Sequence, residues 1–118
     1  MNLIKEPSSA VKQIENEYPE MAAEFKKIQR EQYELFCEKQ LDYGSHNITM
    51  GTGVGDNCNI DLTLSALIVR INDKAQRLIN LFLVKKTPPN NEPLIDSFKD
   101  ISVYSIMSQI VNRGKWGI

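Results

Sequence analysis

Two stretches free of glycine and proline, residues 20–42 and 60–86, leave this chain few solutions other than helices. The first is rich in Ala, Glu, Lys, Gln, Leu and Met, side chains that lose little rotamer freedom in a helix. Met21, Phe25, Ile28, Gln32, Leu35 and Phe36 recur at three- and four-residue intervals, the amphipathic spacing. Pro19 suits the first turn of this helix, and Gly44 supplies its stop. In the second stretch, Asp61 or Asn59 can cap a helix running to about Lys86. Leu64, Leu67, Ile68, Ile71, Ala75, Leu78, Ile79 and Phe82 share one broad face of it. Two lysines at its end complement the helix dipole, and Thr87-Pro88-Pro89-Asn90-Asn91 forces a turn. Pro93 opens a last helix to about Arg113, closed by Gly114, with Leu94, Phe98 and Ile101 as its clearest buried line. Apolar residues elsewhere around that helix point to a central place or a subunit contact. Ser8 or Ser9 can cap a short helix, Ala10 to Tyr18. The pattern predicts an all-α fold. It is a compact bundle of three long helices plus a short N-terminal one, with a glycine-rich loop between the first two long helices.

At 118 residues the chain fits one domain, 1–118. A formal net charge of -1 argues against wholesale electrostatic binding of nucleic acid, which normally needs a clearly basic domain. The N-terminal residues carry no apolar stretch of signal-peptide length, and no run approaches the roughly 20 apolar residues of a membrane span. Cys37 and Cys58 form no CxxC pair and read as free thiols of a cytoplasmic protein. With one histidine, they supply too few soft ligands for a structural zinc site.

Residues 45–59 interrupt the helical pattern. Gly51, Gly53 and Gly55 can turn backbone N–H groups toward an anion, although their spacing matches neither the Walker nor the Rossmann motif. Tyr43, at the end of the preceding helix, can stack on a base. Asn47 offers a donor and an acceptor to a base edge or a phosphate. The plain alternative is a helix C-cap with a packed aromatic, and it explains Gly44 without a ligand. His46, the only histidine, has no partner defined by sequence.

The next helix carries Arg70, Asp73, Lys74 and Arg77 within about a third of its circumference, beside the apolar face. Guanidinium forks match phosphate oxygens two at a time, and an ammonium adds a point charge. Asp73 can hold Arg77 at i+4. Glu34, Glu38 and Asp42 on one helix, and Glu92, Asp96 and Asp100 on the last, repeat every four residues. Of these, Glu34, Glu38, Asp96 and Asp100 are the candidate ligands for Mg²⁺, which favours hard oxygen donors and bridges to substrate phosphates. The competing reading pairs the same acids with the arginines and lysines across the helices. Trp116 is open to either a core or a subunit contact.

Taken together, these stretches resemble the phage and bacterial nucleotide-modification-associated domain of the first type. The matching residues are Lys39 with Asp42-Tyr43-Gly44, and Val69-Arg70-Ile71-Asn72-Asp73-Lys74 with Arg77-Leu78 and Asn80-Leu81. Asn91-Glu92, Asp96-Ser97, Asp100 and Tyr104 complete the set, and the resemblance spans roughly residues 34 to 106. The acidic stripes are similar in a weaker way to MazG-type all-α nucleotide pyrophosphohydrolases. Glu31 and Glu34 have the spacing of that family's first acidic pair, whereas Glu92, Asp96 and Asp100 are four apart. The resemblance implies a phage-type nucleotide-binding protein acting on nucleotides or in DNA-base modification, in the host cytoplasm. Any catalysis would be Mg²⁺-dependent nucleotide hydrolysis. Arg70, Lys74 and Arg77 would hold phosphate, Asp73 would orient them, and Tyr43 and Asn47 would meet base or sugar. Two alternatives follow: a non-catalytic sponge that sequesters a host nucleotide signal against anti-phage defence, and a structural or interaction module. A homo-oligomer is expected, with no membrane partner.

Overall fold

The computed structural model describes residues 6–118, whose regular elements are all helical, with no strand among the described residues. Helix α1 spans Ser9–Glu17, α2 Pro19–Tyr43, α3 Ile60–Leu78 and α4 Leu94–Asn112. Contacts divide the chain into two compact units. The first ends at Leu35 and the second spans Phe36–Ile118.

In the first unit the Ser8 hydroxyl caps α1, accepting from Val11 N–H at 3.2 Å. Tyr18 N–H closes the helix on the Ile14 carbonyl, and Pro19 starts α2 where its missing N–H costs nothing. Lys26 and Glu15 join the two helices at 2.9 Å. Neither α1 nor the part of α2 in this unit buries a residue completely. Val11, Ile14, Met21 and Phe25 line an open apolar groove of about 470 Å³. The amphipathic face of residues 21–35 therefore exists, yet Met21, Phe25, Ile28 and Leu35 are all exposed.

The second unit holds the core. Ile48, Leu67, Met107, Val111 and Trp116 are buried, with Phe36, Leu64, Val103 and Ile110 packed on them. Helix α2 stops at Gly44, whose φ of +71° suits a residue without Cβ. The Asn59 side chain caps α3, accepting from Leu62 N–H at 3.1 Å. Past Leu78 the helix widens into a π-helical segment, Ile79–Lys85, and ends at Lys86 with a left-handed φ of +54°. The expected helix to about Lys86 is present in extent, but 3.6-residue spacing does not distinguish the wider turn. Of the broad apolar face expected on α3, only Leu67 is fully buried, and Ile68, Ile79 and Phe82 are exposed. Helix α4 packs along α3 and ends at Gly114, with φ +68°.

The segment between α2 and α3 contains one short 3-10 turn, Gly55–Asn57. Ile48 and Thr49 bury completely, and the Thr49 hydroxyl donates within the loop, 2.9 Å from the Thr52 carbonyl. A Cβ at Gly53 would collide with the Asn57 side chain, so this glycine is needed for close approach. Trp116 lies in the core rather than on a free surface. Its indole N–H donates to the Ser45 carbonyl at 2.7 Å, its carbonyl accepts from Gly55 N–H at 2.8 Å, and its ring meets Phe36 edge-on at 6.1 Å.

Candidate functional site

The polar residues of α3 turn toward α4 and meet it rung by rung. Arg77 donates to the buried Ser97 hydroxyl at 2.7 Å, Lys74 to the Asp100 carboxylate at 3.0 Å, and Arg70 lies over the Tyr104 ring at 6.0 Å. Along α3 the steps from Arg77 are three and then four residues backward. Along α4 the steps from Ser97 are three and then four forward. Equal steps in opposite directions are what two antiparallel helices need for residues on facing stripes to pair repeatedly. The rungs therefore fix the register of α3 on α4.

Each rung reaches further. Arg77 also donates to the carbonyls of Glu92 and, at 3.4 Å, Pro93, tying the turn before α4 to α3. Lys74 lies 3.9 Å from the Glu92 carboxylate. The hydrogen bond to Asp100 is the largest influence on its ammonium. Together with the charges of Asp100 and Glu92 it outweighs desolvation and raises the Lys74 pKa above its ordinary value. Lys39, half-exposed on α2, approaches Asp100 from the other side at 4.0 Å. Arg70 donates to the Asn47 carbonyl at 3.1 Å, linking the loop after α2 to α3.

The electrostatics of this seam are unbalanced. Lys39 and Lys74 share Asp100, and Lys74 also has Glu92. Both guanidiniums are held by neutral partners: carbonyl oxygens, a hydroxyl and an aromatic face. Among the described residues neither arginine has a carboxylate within ion-pair distance. Cations kept half-buried and ordered by neutral acceptors can attract an anion without first being pulled from a carboxylate.

Of the residues singled out from sequence, the structure brings together Arg70, Lys74, Arg77 and Asp100, with Asn47 present through its backbone. Asp73 lies exposed on α3, and Arg77 turns to α4 instead of to it. Tyr43 is the exposed last residue of α2. Asp96 sits one turn before Asp100, half-buried and in no ion pair among the described residues. Glu38 is exposed on α2. Glu34, in the first unit, pairs with Arg30 one turn away at 3.3 Å. Among the described residues no group of three or more His, Cys, Asp or Glu side chains gathers as a metal site. Lys39, Ser97 and Tyr104 entered the sequence reading only through the family resemblance. The signal that could have added Ser97 and Tyr104 is their three-then-four spacing about Asp100, which mirrors that of Arg77, Lys74 and Arg70; no such spacing marks Lys39.

No family model matches the chain, and neither a curated protein nor a solved structure matches it. What the coordinates define is an all-helical protein with a cationic seam between two antiparallel helices. No helix among the described residues is long and apolar enough to cross a membrane.

Proposed function

We propose that the protein binds a phosphorylated, nucleotide-like ligand along the α3–α4 seam. The observation that carries this reading is the pair of guanidiniums, Arg70 and Arg77, whose positive charge no carboxylate compensates among the described residues. Arg70 supplies the fork for phosphate oxygens, and Lys39 and Lys74 add ammonium charge beside it. Tyr43 and the Asn47 side chain, at the α2 end of the same unit, meet base or sugar. Arg77 acts chiefly by holding α4 in place. The motif resemblance to nucleotide-modification-associated domains supports the same reading, because Arg70, Lys74, Asp100 and Tyr104 belong both to that motif and to the rungs. The protein is read as phage-encoded and active in the host cytoplasm.

Magnesium enters this reading with the ligand. Mg²⁺ is commonly held by one or two carboxylates plus substrate phosphates rather than by an all-protein cage, so a metal that arrives with its nucleotide needs only one or two of the chain's acids. Asp96 and Asp100 on α4, and Glu38 on α2, are the candidate carboxylates within the second unit. A sponge needs the same cations and no metal.

The test is a thermal-shift and product assay with nucleoside triphosphates and cyclic nucleotides, with and without Mg²⁺. A bound ligand at a hundred times its dissociation constant adds about 2.7 kcal/mol of apparent stability, and Arg70→Ala should abolish that gain. Ligand recovered intact after denaturation identifies a sponge, and a cleaved nucleotide identifies a hydrolase. No shift with any phosphorylated compound leaves the seam as a structural staple and defeats the proposal.

A further inference from the structure

Arg70 is held on two sides by groups that the rest of the fold fixes in place. Tyr104 packs against the buried core of the second unit, so its ring is a settled surface, and the Arg70 guanidinium carbon lies 6.0 Å from the ring centroid. On the other side, Arg70 Nη2 donates to the Asn47 carbonyl at 3.1 Å. The two residues after Asn47, Ile48 and Thr49, are completely buried, which anchors that carbonyl. A guanidinium carries five N–H donors, and the bond to Asn47 occupies one of them. Arg77 differs, because it is turned inward on the Ser97 hydroxyl and the carbonyls of Glu92 and Pro93.

An unrestrained arginine gives up much rotamer freedom when it closes on a phosphate, and one already ordered gives up less. A carboxylate in the place of Tyr104 would order Arg70 equally well but would neutralise it. An aromatic face orders a cation through the negative potential of its π-system and leaves the net charge in place. We infer that Tyr104 is a positioning residue of the seam: its ring face holds the Arg70 guanidinium ready for phosphate, without touching the ligand and without cancelling the charge that attracts it. This inference rests on the reading of the seam as a phosphate site. The contact is made by the ring and not by the hydroxyl, so phenylalanine should serve as well as tyrosine. The electron density of the ring, rather than its volume, should then set the affinity.

The test keeps the shape of residue 104 and changes only the potential of its ring. Tyr104→Phe is followed by the same phenylalanine carrying one, two and three fluorine atoms, introduced by nonsense suppression, which empties the negative face stepwise at nearly constant volume. Inorganic pyrophosphate is the probe, titrated calorimetrically into each protein well below its melting temperature. Tyr104→Phe should bind within about twofold of the unaltered protein. Affinity should then fall in step with fluorination, by about two- to tenfold at three fluorines, the range expected when one long side chain must be ordered on binding. Affinity that stays level across the fluorinated series would overturn the inference and leave the phosphate reading of the seam standing. Loss of binding in Tyr104→Phe itself would overturn it too, because the hydroxyl would then be touching the ligand. Unaltered protein that does not bind pyrophosphate defeats the seam reading, and this inference with it.

Discussion

Lys74 shows how one side chain serves both stability and charge. Its pKa is raised in the folded protein, so its contribution to stability is complete below the ordinary lysine value and is lost as pH climbs through the raised folded value. Lys74→Met should therefore cost about 1–2 kcal/mol near neutrality, the range of a hydrogen bond between charged groups at a half-buried site. The deficit should shrink toward zero above about pH 10.5, which urea titrations at successive pH values can follow. Met50 offers a test of the opposite sign. It is exposed with a φ of +50°, a left-handed conformation that disfavours a Cβ. Met50→Gly should stabilise by about 0.5–1 kcal/mol, read as a raised urea midpoint at constant slope.

Helices α3 and α4 are joined by specific polar rungs as well as by a small core, since only five apolar residues of the described chain are buried. Replacing Arg77 strips the buried Ser97 hydroxyl and the Glu92 carbonyl of their guanidinium donor, while the Pro93 carbonyl keeps the Asp96 N–H at 3.1 Å. Arg77→Met should cost about 2 kcal/mol and speed amide exchange in the first turn of α4, with smaller changes in its last turn. Much of this was legible in advance. Pro19, Gly44, Asn59 and Gly114 mark their helix ends in the sequence, because cap and stop chemistry is local. The clustering of Arg70, Lys74 and Arg77 on one stripe was equally visible from 3.6-residue spacing. Their neutral partners were not, because choosing Ser97 and Tyr104 over nearby carboxylates requires the register of two helices. The π-helical segment and the burial of Trp116 were hidden for similar reasons: one preserves the apolar pattern, and the other depends on contacts 71 residues apart in sequence.

For the protein as a whole, the core lies entirely in Phe36–Ile118, while the described residues up to Leu35 bury none completely. Helices without tertiary burial open readily, so amide protection should be weak in α1 and the first turns of α2 and strongest around Leu67, Met107 and Val111. The central claim, that the cationic seam recognises phosphate as well as holding helices together, is tested most directly at Lys39. Its half-exposed approach to Asp100 at 4.0 Å is worth less than about 1 kcal/mol to the fold, whereas its charge adds to the proposed site. Isothermal titration of Lys39→Ala with the tightest-binding nucleotide should show affinity reduced about tenfold, a loss of roughly 1.4 kcal/mol, at an unchanged urea midpoint. Undiminished affinity in Lys39→Ala, or no binding heat from any phosphorylated compound with the unaltered protein, would contradict the account.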